Sequence, residues 1–125
     1  MENTTAEKGR QVTPEGTWLV EVFMVDGEMV PPLPGSTMSL EFVEGRVGGV
    51  ASINRFMGQF GDELLFGPLA TTMMAGPPQL MEQEGRYLGL LSQADSLLFG
   101  PNELSLIAKE DVIVVLKPEG TDSEE

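Results

Sequence analysis

The stretch from Val47 to Leu91 constrains the fold of this chain most, because it joins short strand-like runs to a single amphipathic helix. It reads V-G-G-V-A-S-I-N-R-F-M-G-Q-F, then L-L-F-G-P-L-A-T-T-M-M-A-G, then P-P-Q-L-M-E-Q-E-G-R-Y-L-G-L-L. Small residues dominate the run from Val47 to Ile53, which indicates close backbone approach, a bulge or a sharp bend there. The segments on either side are therefore expected to complete one sheet around this stretch.

Glycine and proline are spread along the whole chain, 15 and 9 of them in 125 residues. Breakers spaced in this way favour many short strands joined by tight turns over a helical bundle. A chain of this length has room for one domain with one core. We therefore predict a mainly β (α+β) fold, a small open antiparallel β-barrel with one amphipathic helix packed on it. The expected boundaries are a flexible tail at 1–15, the domain at 16–118 and a disordered acidic tail at 119–125.

Alternating apolar residues predict two strands before the central stretch, Thr17 to Val25 and Thr37 to Val43. A tight turn at Asp26-Gly27 follows the first strand. On the first strand, one predicted face holds Trp18, Val20, Val22 and Met24. On the second strand, it holds Met38, Leu40 and Phe42.

A hairpin across Gly61-Asp62 is predicted within the central stretch. Three more strands are expected after the helix, at Ser96 to Phe99, Glu103 to Ile107 and Val112 to Lys117. Together these strands complete the predicted sheet.

The helix is predicted from about Gln79 to Leu91. Spacing of 100° per residue places Leu80, Met81, Tyr87, Leu88 and Leu91 on one face. The opposite face is predicted to hold Glu82, Gln83, Gly85, Arg86 and Gly89. Glu84 falls in the middle of the apolar face and is the position where a charge interrupts it.

Glu84 is the sharpest candidate for a site, because an ionised carboxylate is buried only when it is paired or hydrogen-bonded. Its available partners are Asn54, Arg55, Thr71 and Thr72. One interpretation is a general acid or base with a shifted pKa. The favoured one is a structural latch that ties the helix to the bend at 52–56, because no histidine, cysteine or second core-facing carboxylate stands near it in sequence.

Two other groups of residues carry weaker hypotheses. Asn54 and Arg55 follow a glycine-rich strand and would suit an anion, although a structural corner is the favoured interpretation. Met57, Met73 and Met74 would line an adaptable apolar groove, although core packing explains them more simply. We assign no catalytic, cofactor-binding or metal-binding residue and expect no cofactor.

The charge balance limits the partners. Seven basic residues stand against 20 acidic ones, giving a net charge of −13 with no histidine and no cysteine. Nucleic acid and anionic membrane surfaces are poor partners for such a chain. Usual zinc ligands and disulfides are excluded, and no apolar run is long enough to span a membrane. A protein partner or an apolar small molecule remains, with a monomer as the default state.

Three ordered motifs resemble a known family. They are G-x-A-x-x-N-R-F-x-G-x-F (Gly49 to Phe60), L-A-T-T-x-M-A (Leu69 to Ala75) and M-E-x-E-x-x-Y-L-x-x-L (Met81 to Leu91). In this order they resemble the META domain, the family that includes the HslJ-like heat-inducible small proteins. The resemblance extends from Gly16 to the last strand near Leu116. It implies a small open barrel with one packed helix, in stress-linked accessory proteins without an established catalytic activity.

The chain departs from the family pattern at two places. The family motifs usually carry cysteine where this chain has Ile53 and Gly76. The joint loss fits a pair that normally forms a disulfide, which the resemblance implies for relatives rather than for this chain. Family members are often exported or attached as lipoproteins, whereas this chain, with no signal segment as written, is expected in the cytoplasm.

These observations favour a non-enzymatic accessory or interaction protein. The alternative is a small carrier that binds an apolar ligand in the barrel mouth. An enzyme built on Glu84, Arg55 and the pair Thr71-Thr72 ranks third. A bare strand edge or an exposed apolar patch would favour the first function.

Overall fold

The computed structural model describes residues 14–61 and 65–119. Within them the chain forms nine strands and one helix. These are β1 (Gly16–Val25), β2 (Glu28–Val30), β3 (Ser39–Val43), β4 (Arg46–Ala51), β5 (Asn54–Gln59), β6 (Ala70–Thr71), α1 (Pro78–Gln93), β7 (Ser96–Phe99), β8 (Leu104–Ala108) and β9 (Asp111–Pro118). The predicted tails lie largely outside the described residues, and so does Asp62 of the predicted Gly61-Asp62 turn.

The described strands form one antiparallel sheet in the order β6-β5-β4-β3-β1-β9-β8-β7. The short strand β2 pairs with the second half of β1 across the predicted Asp26-Gly27 turn. Among the described residues, the end strands β6 and β7 do not pair with each other, so the sheet is open. The predicted mainly β fold with a single helix is confirmed. No helix in the described ranges is long and apolar enough to cross a membrane.

The small residues of β4 allow two strands to approach closely. Gly49 has a φ of 153°, and a Cβ built on it would lie 2.4 Å from the backbone oxygen of Ser39 on β3. Any larger residue would therefore push β3 and β4 apart. The chain then turns at Ser52, whose φ is 74°, and enters β5. Close approach and a sharp bend, both predicted for this run, occur together.

The core lies between the inner face of the sheet and α1. Met38, Leu40 and Phe42 are buried on one face, as predicted. From the helix side, the ring of Tyr87 packs edge-on against Phe56 with centroids 5.9 Å apart. The core is completed from the last two strands by Leu104, Leu106, Ile113, Val114 and Leu116.

The predicted faces of β1 are wrong beyond its midpoint. Val20 lies opposite Leu116 and Val22 lies opposite Val115, so two steps on β1 match one step on β9. This bulge at Glu21 reverses the alternation. Phe23 is therefore buried, whereas Val22 and Met24 are only partly buried.

The predicted helix face is also shifted. The buried residues of α1 are Gln83, Glu84, Tyr87, Leu90 and Leu91. Gln83 was predicted on the opposite face but is only 5% exposed. The shift has a physical reason, because hydrogen bonds to Gln83 and Glu84 compensate the burial of their polar atoms. Leu80, Met81 and Leu88 are consequently only partly buried.

Candidate functional site

Glu84 reaches from α1 to the bend between β4 and β5. Its Oε1 accepts hydrogen bonds from the backbone N–H groups of Ile53 (2.9 Å) and Asn54 (2.7 Å). Its Oε2 accepts a third from the Asn54 side-chain amide at 2.7 Å. Both carboxylate oxygens are thus occupied by donors that belong to the bend, although Glu84 is only 6% exposed.

Asn54 extends this network to the segment after β6. Its Nδ2 also donates to the carbonyl of Met74, and its Oδ1 accepts from the N–H of Met74 and the hydroxyl of Thr72. The Thr72 hydroxyl in turn accepts the N–H of Arg55 at 3.0 Å. One buried amide therefore connects the start of β5, the segment leading into α1, and the helix itself.

The structure separates the remaining two latch candidates from this network. The Arg55 side chain is exposed, and among the described residues only its backbone contacts the network. Thr71 is exposed on β6, where it pairs through its backbone with Phe56. The residues brought together are thus Asn54, Thr72 and Glu84, whereas Arg55 and Thr71 contribute no side-chain contact to the network within the described residues.

Sequence reasoning missed two further polar anchors on the same helix. The Gln83 Oε1 accepts the N–H of Leu33, and its Nε2 donates to the hydroxyls of Ser36 and Ser52. The Tyr87 hydroxyl donates to the carbonyl of Ser39 at 2.7 Å. Burial raises the pKa of Tyr87 above its ordinary value, which keeps the hydroxyl protonated as a donor. The only signal in sequence was the polar run Gln83-Glu84 beside apolar helix positions.

The hydrogen bonds of Glu84 tie the helix to the bend. The Glu84 oxygens that a general base would present to a substrate already accept protein donors. Within the described ranges, no group of three or more metal-ligating side chains lies together. Position and hydrogen bonding thus favour a latch that fixes α1 against the sheet.

The three candidate methionines lie at the surface. Met57, Met73 and Met74 are 61%, 91% and 54% exposed. Core packing, which we favoured from the sequence, is therefore wrong for all three. An apolar groove of about 300 Å³ lies between α1 and the β1-β2 hairpin, away from these methionines. Its lining includes Phe23, Val25, Val30 and Leu33.

The edge strand β7 presents unpaired backbone groups. Gly100 N–H donates to the Glu103 carbonyl, in register with the pairs from Ser96↔Ile107 to Phe99↔Leu104. Because hydrogen-bonded pairs alternate along an antiparallel ladder, Ser96 and Leu98 bond to β8, whereas Leu97 and Phe99 direct their N–H and C=O groups outward. No described strand or loop takes up these groups.

The same edge exposes apolar side chains. Leu98 is 67% exposed and Phe99 is 37% exposed. Two grooves flank the end of β7, one of about 420 Å³ lined by Leu98, Glu103 and Ser105 among others, and one of about 390 Å³ between Phe99 and Trp18. The other edge strands of the described sheet are shorter, since β6 has two residues and β2 has three, so β7 is the longest edge.

Comparison with known proteins supports the fold. The model of the META domain family matches residues 10–120, and no curated protein matches the chain. The NMR structure of a protein from Burkholderia xenovorans is 20% identical, with a TM-score of 0.66, covering 90% of this chain and 95% of that one. A second NMR structure is 25% identical, with a TM-score of 0.56, covering 86% and 95%. The descriptions of these two structures name no activity.

Proposed function

The chain belongs to the META domain family, and we propose that it is a non-catalytic interaction module that adds an extended segment of a protein partner to the edge of β7. The observation that carries this proposal is the combination of outward backbone groups at Leu97 and Phe99 with exposed apolar side chains on the same strand. Natural sheets usually cover, shorten or charge such an edge. Here the edge is uncharged from Ser96 to Phe99.

Strand addition supplies a plausible energy for a reversible contact. Two outward residues offer two donors and two acceptors, and each backbone hydrogen bond contributes about 0.5–1.5 kcal/mol net. Leu98 and Phe99, on opposite faces of the sheet, would each contact side chains of the added strand, and this burial contributes further, at about 25 cal/mol per Å² of apolar surface. Backbone pairing gives the affinity in such complexes, and alternate side chains give the specificity.

The test is titration of the ¹⁵N-labelled chain with short strand-forming peptides, followed by NMR. We expect the amide protons of Leu97 and Phe99 to shift downfield and become protected from exchange, since they gain hydrogen bonds. Those of Ser96 and Leu98 should move little, because they already bond to β8. Shifts without this alternation, or no shifts with any peptide at millimolar concentration, would contradict strand addition.

A carrier for an apolar ligand is the second candidate, favoured by the groove between α1 and the β1-β2 hairpin. Its volume suits a small molecule, and apolar walls are usual in such sites. Titration with small hydrophobic compounds would then shift Val25, Val30 and Leu33 rather than β7. The lining of this groove does not include Met57, Met73 or Met74, the residues of the alternative groove considered from the sequence.

The setting of the proposed function rests on the resemblance. A stress-linked accessory role is what the likeness to HslJ-like proteins supports. A reducing compartment such as the cytoplasm is supported by Ile53 and Gly76 at the two places where relatives carry cysteine.

A further inference from the structure

We infer that the segment accepted by β7 is basic, an extended stretch of a protein partner in which apolar residues alternate with Lys or Arg. This inference rests on the proposed strand addition and specifies the chemistry of the partner. Two features support it: the shape of the sheet beside β7 and the charge around the end of that strand.

The inner face of the edge requires apolar residues. Leu97 and Phe99 pair with Leu106 and Leu104, which are completely buried, so their side chains lie on the core side of the sheet. The groove between Phe99 and Trp18 lies beside the end of β7. An added strand would place alternate side chains on this core side, and apolar side chains there would extend the existing core.

The two grooves at the end of β7 are lined by acidic residues. Glu103 lines the groove beside Leu98, and Glu119 lines the groove beside Phe99. Among the described residues, neither lining contains Lys or Arg. At the other end of β7, an acidic and a basic residue are neighbours, since the carboxylate of Asp95 accepts a hydrogen bond from the backbone N–H of Lys109. Basic side chains are thus expected where the partner passes Phe99.

Charge also disfavours the simplest alternative occupant, a second copy of this chain. Two copies joined along β7 would bring together two molecules that each carry a net charge of −13. Like charges at an interface oppose association, whereas opposite charges speed it and fix the register. A basic segment meets the same backbone edge without this repulsion.

The experiment compares three peptides of about eight residues with the full chain, by NMR at low and high salt. The first alternates Val with Lys, the second alternates Val with Glu, and the third is the Val-Lys peptide with methylated backbone nitrogens. We expect the Val-Lys peptide to bind about tenfold more tightly than the Val-Glu peptide at low salt, with the ratio shrinking as salt screens the charges. The methylated peptide should not bind.

The outcomes separate the two claims. Equal, salt-independent affinity for the Lys and Glu peptides, with the alternating response at Leu97 and Phe99, would overturn the basic partner and leave strand addition standing. Binding of the methylated peptide as tightly as its parent would overturn strand addition itself. Sedimentation of the peptide-free protein at low salt detects self-association under the conditions where charge should prevent it, and a dimer there would replace the basic partner by a second copy.

Protein variants locate the charge effect. Replacing Glu103→Gln and Glu119→Gln together should weaken binding of the Val-Lys peptide about two- to tenfold and reduce its salt dependence, in the range of exposed ion pairs. Both residues are exposed, so the fold should be unaffected. Glu44→Gln, in the exposed turn between β3 and β4, is the matched control. An equal loss in the control would contradict a local role for Glu103 and Glu119.

Discussion

Single polar side chains fix the position of α1 more specifically than its apolar residues do. Apolar packing has little directional preference, whereas Glu84 and Tyr87 each meet named backbone groups at 2.7–2.9 Å. Such fully satisfied buried groups specify one arrangement of a helix on a sheet. The N-terminal end of the helix adds little, since Pro77 at the N-cap makes no side-chain hydrogen bond.

Substitution of Glu84 tests the latch. Glu84→Leu leaves three donors of the bend without acceptors and should lower the free energy of unfolding by about 2–5 kcal/mol. Glu84→Gln keeps one acceptor and should cost less, about 1–2 kcal/mol, because its amide opposes that of Asn54. Urea unfolding provides the measurement. Glu82→Gln, two residues away on the exposed side of α1, is the control. Parent-like stability in both Glu84 variants would refute the latch.

Tyr87 gives a pH-dependent prediction. Its folded-state pKa is raised by burial, so its contribution to stability is complete below the unfolded pKa of about 10 and declines as pH rises beyond it. Tyr87→Phe leaves the Ser39 carbonyl unpaired and should cost about 1–2 kcal/mol at neutral pH. The stability difference between parent and variant should shrink above about pH 10.

Urea unfolding of both proteins at several pH values measures this difference. Tyr87 is the single tyrosine of the chain, so ultraviolet titration of the parent follows its ionisation directly. Ionisation of the folded parent near pH 10 would contradict the burial argument.

At the scale of elements, local patterns were sufficient for most of the fold. The strands β1, β3, β7, β8 and β9 and the helix all occur close to their predicted positions, because alternation and helical spacing are read within one segment. The buried faces of β1 and α1 were harder to predict than their positions in the chain. The bulge at Glu21 depends on pairing with β9, and the burial of Gln83 depends on partners about 30 to 50 residues away.

The candidate site was predictable in the same partial way. Glu84, Asn54 and Thr72 were identified because a charge on an apolar helix face demands partners. The exposed position of Arg55 was not predicted, since the face of the sheet on which a strand residue lies depends on the register of its strand. The bare edge of β7 also depends on the order of strands in the sheet, which local patterns do not specify.

The helix contains two glycines at positions where a side chain would have free space. A Cβ at Gly85 or Gly89 would meet nothing within 4 Å, apart from the helix's own backbone. Gly85→Ala and Gly89→Ala should therefore each raise the free energy of unfolding by about 0.5–1 kcal/mol, because alanine loses less backbone entropy on folding. Thermal and urea unfolding test this. As a contrasting control, Gly49→Ala should destabilise the protein, and a stabilised Gly49 variant would contradict the close approach of β3 and β4.

The segment before α1 offers a site for a covalent link. A Cβ at Gly76 would lie 2.9 Å from Cγ1 and 2.8 Å from Cδ1 of Ile53, so these positions adjoin. The double variant Ile53→Cys, Gly76→Cys should form a disulfide once the isoleucine side chain is removed. The closed loop of roughly 24 residues predicts about 3 kcal/mol of stabilisation over the reduced form.

Thiol titration and urea unfolding, with and without reductant, measure this effect. The two single-cysteine variants control for the loss of the isoleucine and the added side chain. Free thiols in the oxidised double variant would show that the two positions are not in contact.

At the scale of the whole molecule, an open sheet is combined with a strongly acidic surface. The unpaired edge of β7 favours association with any strand, including the same strand of another copy. A net charge of −13 opposes contact between copies. Under the proposed function, this repulsion would leave the edge available to a different partner.

This balance predicts that salt promotes self-association at neutral pH. Near 1 M NaCl the screening length falls to about 3 Å, so repulsion between copies is largely removed while backbone pairing and apolar burial persist. Sedimentation velocity should show a monomer at low salt and dimers at high salt. Leu98→Lys places a charge on the edge and should abolish the dimer, whereas Val43→Lys, the same change on the internal strand β3, should not. Dimers that survive in the Leu98 variant would locate self-association elsewhere and remove β7 as the surface that the charge protects.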